Sequence, residues 1–71
     1  MFIRIKSIGR DSRFKDSSIS AFNVDGQSAS TGNWYITIRI SSKDVKFAWK
    51  TEEEMRKVEE YLDNVLKVQE V

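Results

Sequence analysis

Between residues 34 and 50 the chain alternates apolar and polar side chains in two successive runs, and a helix-start signal follows without a break. Trp34, Ile36, Ile38 and Ile40 alternate with Tyr35, Thr37, Arg39 and Ser41; Val45, Phe47 and Trp49 then alternate with Lys46, Ala48 and Lys50. A period of two marks a strand with one buried face. Two such runs this close together make a hairpin. For their apolar sets to share a face, an even-numbered residue must oppose an odd-numbered one, which requires a loop of two or four residues. With Ser41-Ser42-Lys43-Asp44 as the loop, Ile40 pairs with Val45, Ile38 with Phe47 and Ile36 with Trp49. The other face then sets Arg39 beside Lys46 and Tyr35 beside Lys50.

The next residues, Thr51-Glu52-Glu53-Glu54, form a capping box, in which the Thr51 hydroxyl and the Glu54 carboxylate satisfy backbone donors at a helix start. Three glutamates in the first turn also suit the positive end of the helix dipole. Met55, Val58, Leu62 and Val65, flanked by Tyr61 and Leu66, follow the spacing of one buried stripe. Glu52 to Arg56, Glu53 to Lys57 and Asp63 to Lys67 are i,i+4 pairs on the outer side. The helix is expected over 51–67, with residues 68–71 as a frayed end or docked tail.

The first half carries weaker signals. Residues 1–8 read as a strand with Ile3 and Ile5 inward, ended by Gly9. Residues 10–17 are polar and basic, and read as a loop with Phe14 as its one anchor. Residues 18–24 read as a strand whose phase slips, because Ile19 and Ala21 share one face while Phe22 and Val24 share the other; a bulge or two-sided burial produces that pattern. Residues 25–33 form a polar connection expected to be flexible.

The expected architecture is therefore α+β: an antiparallel sheet of about four strands (1–8, 18–24, 34–41 and 45–50) with the C-terminal helix on one face. At 71 residues one domain spans the chain, and such a chain buries only about 60 to 65% of its unfolded surface. The expected core is Ile3, Ile5, Trp34, Ile36, Ile38, Phe47 and Trp49 from the sheet with Met55, Val58, Leu62 and Val65 from the helix.

Composition narrows the function. There is no Cys and no His, hence no disulfide, no imidazole base, no Cys- or Ser-His pair and no Cys/His zinc site. No Asp/Glu spacing resembles a calcium loop, and no phosphate-loop or cofactor motif occurs; Gly26 and Gly32 lack the Gly-Lys-Ser/Thr that such a loop needs. The expectation is a non-enzymatic protein without cofactor or metal. No apolar stretch approaches the roughly 20 residues of a membrane span, and the alternating start Phe2-Ile3-Arg4-Ile5-Lys6 is unlike a signal peptide, so the chain is read as cytoplasmic and not bound to membranes.

Charge is uneven along the chain. Residues 1–50 hold nine Lys/Arg against four Asp/Glu, giving +5, and residues 51–71 hold three against seven, giving −4, which together make the net +1. On the expected sheet face away from the helix lie Arg4, Lys6, Tyr35, Arg39, Lys46 and Lys50. Cations that track phosphates beside rings that stack on bases suit single-stranded nucleic acid, and an anionic partner would relieve Arg39 facing Lys46. The same residues are ordinary occupants of a solvated sheet face, and net +1 is far from the strongly basic balance of nucleic-acid binders. The leading expectation is a small binding or accessory module acting through protein–protein contacts, with single-stranded nucleic-acid binding on the basic sheet face as the alternative. An apolar tail of Val65, Leu66, Val68 and Val71 and an irregular second strand leave monomer and homodimer open. In element order alone, four strands and a helix, the chain is similar to the small dimeric single-strand-binding transcriptional coactivators and to the end of a pleckstrin-homology-like domain.

Overall fold

The computed structural model describes residues 1–67, in the order β1 (Phe2–Ser7), β2 (Arg10–Lys15), a 3₁₀ turn (Asp16–Ser18), β3 (Ile19–Gln27), β4 (Trp34–Ile40), β5 (Lys43–Trp49) and α1 (Glu52–Leu66). The fold is α+β, with five strands in two antiparallel sheets, the β1-β2 hairpin and the three-stranded β3-β4-β5 sheet, and one C-terminal helix. The single sheet of about four strands is thereby corrected. The additional strand is β2, in the segment expected to be a loop.

Ile3 faces Phe14 and Ile5 faces Ser12 across this hairpin, so β2 turns Phe14 and Ser12 inward and leaves Asp11, Arg13 and Lys15 exposed. The connection is only Ile8-Gly9, with Gly9 taking the positive φ of 70° that a tight turn demands.

The β4-β5 hairpin forms as expected but with the shorter of its two allowed loops. Ser41 and Ser42 alone make the turn, both in the left-handed region (φ 51° and 68°). The pairs are Ile40 with Lys43, Arg39 with Asp44, Ile38 with Val45, Thr37 with Lys46, Ile36 with Phe47, Tyr35 with Ala48 and Trp34 with Trp49. The expected partners are thus displaced by two residues. Apolar residues still share one face, and Arg39 now meets a carboxylate instead of Lys46, which replaces a repulsive pair with an attractive one.

β3 carries two irregularities, and the first of them is the phase slip. Ile19 pairs with Ile40 and Ala21 with Arg39, so Ser20 is an extra residue; Val24 pairs with Ile36 and Gly26 with Tyr35, so Asp25 is another. Each bulge reverses the alternation. That is why Ile19, and then Phe22 and Val24, all point at the core.

The connection after β3 is shorter than the 25–33 expected. β3 itself continues to Gln27, and the loop is closed by Ser28 N–H donating to the Asn33 carbonyl (2.9 Å), Gly32 N–H to the Ser28 carbonyl (2.8 Å) and the Gln27 amide to the Gly32 carbonyl (3.1 Å).

Helix α1 starts where the capping box places it. Thr51 Oγ1 accepts from Glu54 N–H at 3.3 Å, and Arg56 bridges Glu52 (3.2 Å) and Glu59 (2.9 Å). Lys57 Nζ lies 3.8 Å from Glu53. The expected Asp63–Lys67 pair does not form, because Lys67 leaves the helix in a left-handed cap whose N–H donates to the Asp63 carbonyl. The tail at 68–71 lies outside the described residues.

The core joins all three parts: Ile3 and Ile5 from the hairpin, Ile19, Ile36, Ile38, Phe47 and Trp49 from the sheet, Met55 and Leu62 from the helix. Trp34, Val58 and Val65, expected inside, are half-buried at its rim. Arg10 lies over the Phe47 ring, 5.8 Å from its centre, on the side the hairpin covers.

Candidate functional site

The six residues that the sequence groups on one basic face are divided by the fold into two sets. Tyr35, Arg39 and Lys46 share the outer face of the three-stranded sheet, because they alternate with the inward Ile36, Ile38 and Phe47. Arg4 and Lys6 sit on the separate hairpin, and Lys50 lies in the bend between β5 and α1. The expected continuous cationic face is corrected accordingly.

The three-stranded sheet's outer face is mixed in charge. Lys46 Nζ lies over the Tyr35 ring, 5.7 Å from its centre, and Arg39 is flanked by Asp44 across the β4-β5 pair. On the adjoining strand Asp25, displaced by its bulge, accepts from Thr37 Oγ1 (2.6 Å) and from the Asn23 amide (3.0 Å). Two carboxylates therefore stand among the two cations. A shallow depression of about 260 Å³ lies there, floored by Ala21, Thr37 and Arg39.

The other set meets a different surface. Arg4 makes a two-pronged contact with Asp11, 3.0 Å from Nε and 2.7 Å from Nη2. This hydrogen bond holds the Asp11 carboxyl below its ordinary pKa and raises that of Arg4. Lys6 has no ion-pair partner among the described residues. Between β1 and α1 runs an open groove of about 220 Å³ lined by Arg4, Ile5, Lys6, Lys57, Val58 and Tyr61. Lys6 also lines the adjoining hollow with Ile8, Trp49, Lys50 and Glu54. Arg4, Lys6 and Lys50 thus border one band of surface with an apolar floor.

Lys57, Val58 and Tyr61 were not candidates on sequence. The available signal was Tyr61, at the margin of the helix stripe, where a large ring cannot be fully covered. Among the described residues the exposed large apolar side chains are Met1 (89%), Phe2 (70%), Ile8 (44%) and Tyr61 (42%), all from β1 and its ends or from α1. None lies on the outer face of the three-stranded sheet.

Among the described residues no group of His, Cys, Asp or Glu side chains is placed to hold a metal ion, every buried side-chain polar atom has a partner, and no helix is long and apolar enough to cross a membrane. Comparison with family models, with curated proteins and with solved structures finds no match to this chain.

Proposed function

We propose that this chain is a small non-enzymatic binding module that acts through protein–protein contacts. The observation that carries this reading is the distribution of its exposed apolar side chains. Met1, Phe2, Ile8 and Tyr61 all belong to the β1 and α1 parts of the molecule, and Arg4, Lys6 and Lys57 lie beside the groove there. Exposed apolar groups rimmed by charge are the composition of a protein-recognition surface. The outer sheet face is less suited to single-stranded nucleic acid, since Asp25 and Asp44 stand among Arg39 and Lys46, and Lys46 already covers a face of the Tyr35 ring that a base would need.

A photoreactive phenylalanine at position 2 tests this in extracts of cells that make the protein. The expected result is a protein adduct that saturates and is competed by excess unlabelled chain, with no change in fluorescence anisotropy of single-stranded oligonucleotides at about 50 mM salt, where phosphate-driven binding is strong. Oligonucleotide binding that falls steeply with salt, with no protein adduct, overturns it.

A further inference from the structure

We infer that β1 is a docking edge for an extended acidic segment of a partner protein, which adds to β1 as a further strand in the groove against α1; this rests on the protein-contact reading above. The backbone directions of β1 follow from three hydrogen bonds. Asp16 N–H donates to the Met1 carbonyl (3.0 Å), so the odd-numbered residues of β1 turn their backbone groups toward β2. Trp49 Nε1 donates to the Lys6 carbonyl (3.0 Å) and Ile8 N–H to the Ala48 carbonyl (2.9 Å), so the even-numbered residues turn theirs the other way, toward β5. The two sheets therefore meet edge to edge at one corner only. Beyond that corner β1 separates from β5, and the N–H and C=O of Phe2 and Arg4 and the N–H of Lys6 have no partner among the described residues.

This open edge lies along the groove. Arg4, Ile5 and Lys6 are consecutive, and consecutive strand residues alternate faces, so a hollow lined by all three runs beside the strand's edge and not over one face. The opposite wall is the α1 surface of Lys57, Val58 and Tyr61. A strand edge beside a helix is the geometry in which an added peptide takes main-chain hydrogen bonds from the edge and places alternate side chains in the groove. The outer edges of the two sheets lack this combination: β3 is broken by bulges at Ser20 and Asp25, and the outward side chains of β2 are Asp11, Arg13 and Lys15 with no apolar wall.

Charge selects the occupant. Arg4 is engaged by Asp11, but Lys6 is unpaired among the described residues, Lys57 makes only the long exposed contact to Glu53, and in the adjoining hollow Lys6 and Lys50 stand as two cations against the one carboxylate of Glu54. Ile5, Val58 and Tyr61 supply an apolar floor. An extended segment alternating carboxylates with aliphatic side chains matches both.

The test uses synthetic peptides of about ten residues, the length of a long strand, and nitrogen-15 NMR of the full chain. The probes are an alternating Glu-Val peptide, a Lys-Val peptide, and a Glu-Val peptide methylated at alternate backbone nitrogens. The Glu-Val peptide is expected to shift the Phe2, Arg4 and Lys6 amides and slow their exchange. Loss of strand hydrogen bonds by methylation, or of charge in the Lys6→Glu/Lys57→Glu double variant, is expected to weaken binding by about tenfold or more. No binding of the Glu-Val peptide, equal binding of the Lys-Val peptide, or shifts centred on Tyr35 and Arg39 overturn the proposal. So does protection of Arg4 and Lys6 amides that grows with protein concentration alone, which assigns the edge to a second copy. If the photocrosslinked protein adduct persists undiminished in the double variant, the docking edge is wrong while the protein-contact reading stands; loss of any adduct in the unaltered chain removes the latter.

Discussion

Ser42 shows how a single backbone angle decides a register. Non-glycine residues are disfavoured in the left-handed region by roughly 1–2 kcal/mol, and the β4-β5 turn places two serines there, at φ 51° and 68°. Nothing in Ser41-Ser42-Lys43-Asp44 resembles the Asn-Gly of such turns, so the parity of the apolar residues was legible and the choice between two and four loop residues was not. Ser42→Gly removes the strain but adds freedom to the unfolded chain, and is expected to raise stability by about 0.5–1 kcal/mol. Thermal unfolding should move up by about 2 to 8 °C; a lowered midpoint contradicts the two-residue turn. Asp11 offers a second single-residue test. Its carboxyl is held below its ordinary pKa of 3.8 by the hydrogen bond from Arg4, so its contribution to stability is present above that value and is lost as pH falls through the lowered folded value. Denaturation followed from pH 7 downward should show a shallower acid loss for Asp11→Asn than for the unaltered chain, and identical slopes contradict the pair.

Elements differ in how openly they are written. Helix α1 was legible to within a residue at each end, because Thr51 has both the hydroxyl and the position to accept from Glu54 N–H, and Met55 and Leu62 fall on one stripe. Thr51→Ala is expected to cost about 1 kcal/mol, measured as the shift of the urea midpoint at unchanged slope. No shift contradicts the cap. Strand β2 was hidden, since only Phe14 among its six residues is large and apolar and its other inward position is Ser12. Its pairing energy comes from backbone bonds to β1, which sequence patterning does not display. The first bulge of β3, at Ser20, was legible as a broken alternation that two-sided burial could equally produce; the second, at Asp25, was not, because it lies past the strand end expected at Val24 and only the partner strand fixes which residue is left over.

At the scale of the whole molecule, the +5 of residues 1–50 does not gather on one uniformly basic face, because the carboxylates it already counts are interleaved with the cations. Asp11, Asp25 and Asp44 are folded in among Arg4, Arg39 and Lys46, so linear charge counts overstate the basic face. Of the six candidate residues, the sequence located the strands that carry most of them, but not the division into two sheets or the long-range contacts, such as Trp49 to Lys6, that join them. Trp49→Phe keeps most of the ring volume and removes that bond, leaving the Lys6 carbonyl without its donor. It is expected to cost about 1–2 kcal/mol in urea denaturation, and an unchanged midpoint contradicts the bond as a link between the sheets.

Native-state amide hydrogen exchange of the isolated chain at low concentration tests the central claim, an open β1 edge joined to the second sheet at one corner. Slow exchange is expected at Ile3, Ile5 and Ser7, whose N–H groups face β2, and at Ile8, which donates to Ala48, with fast exchange at Arg4 and Lys6 between them. Equal protection at Arg4 and Lys6 contradicts it, since the edge would then already be covered.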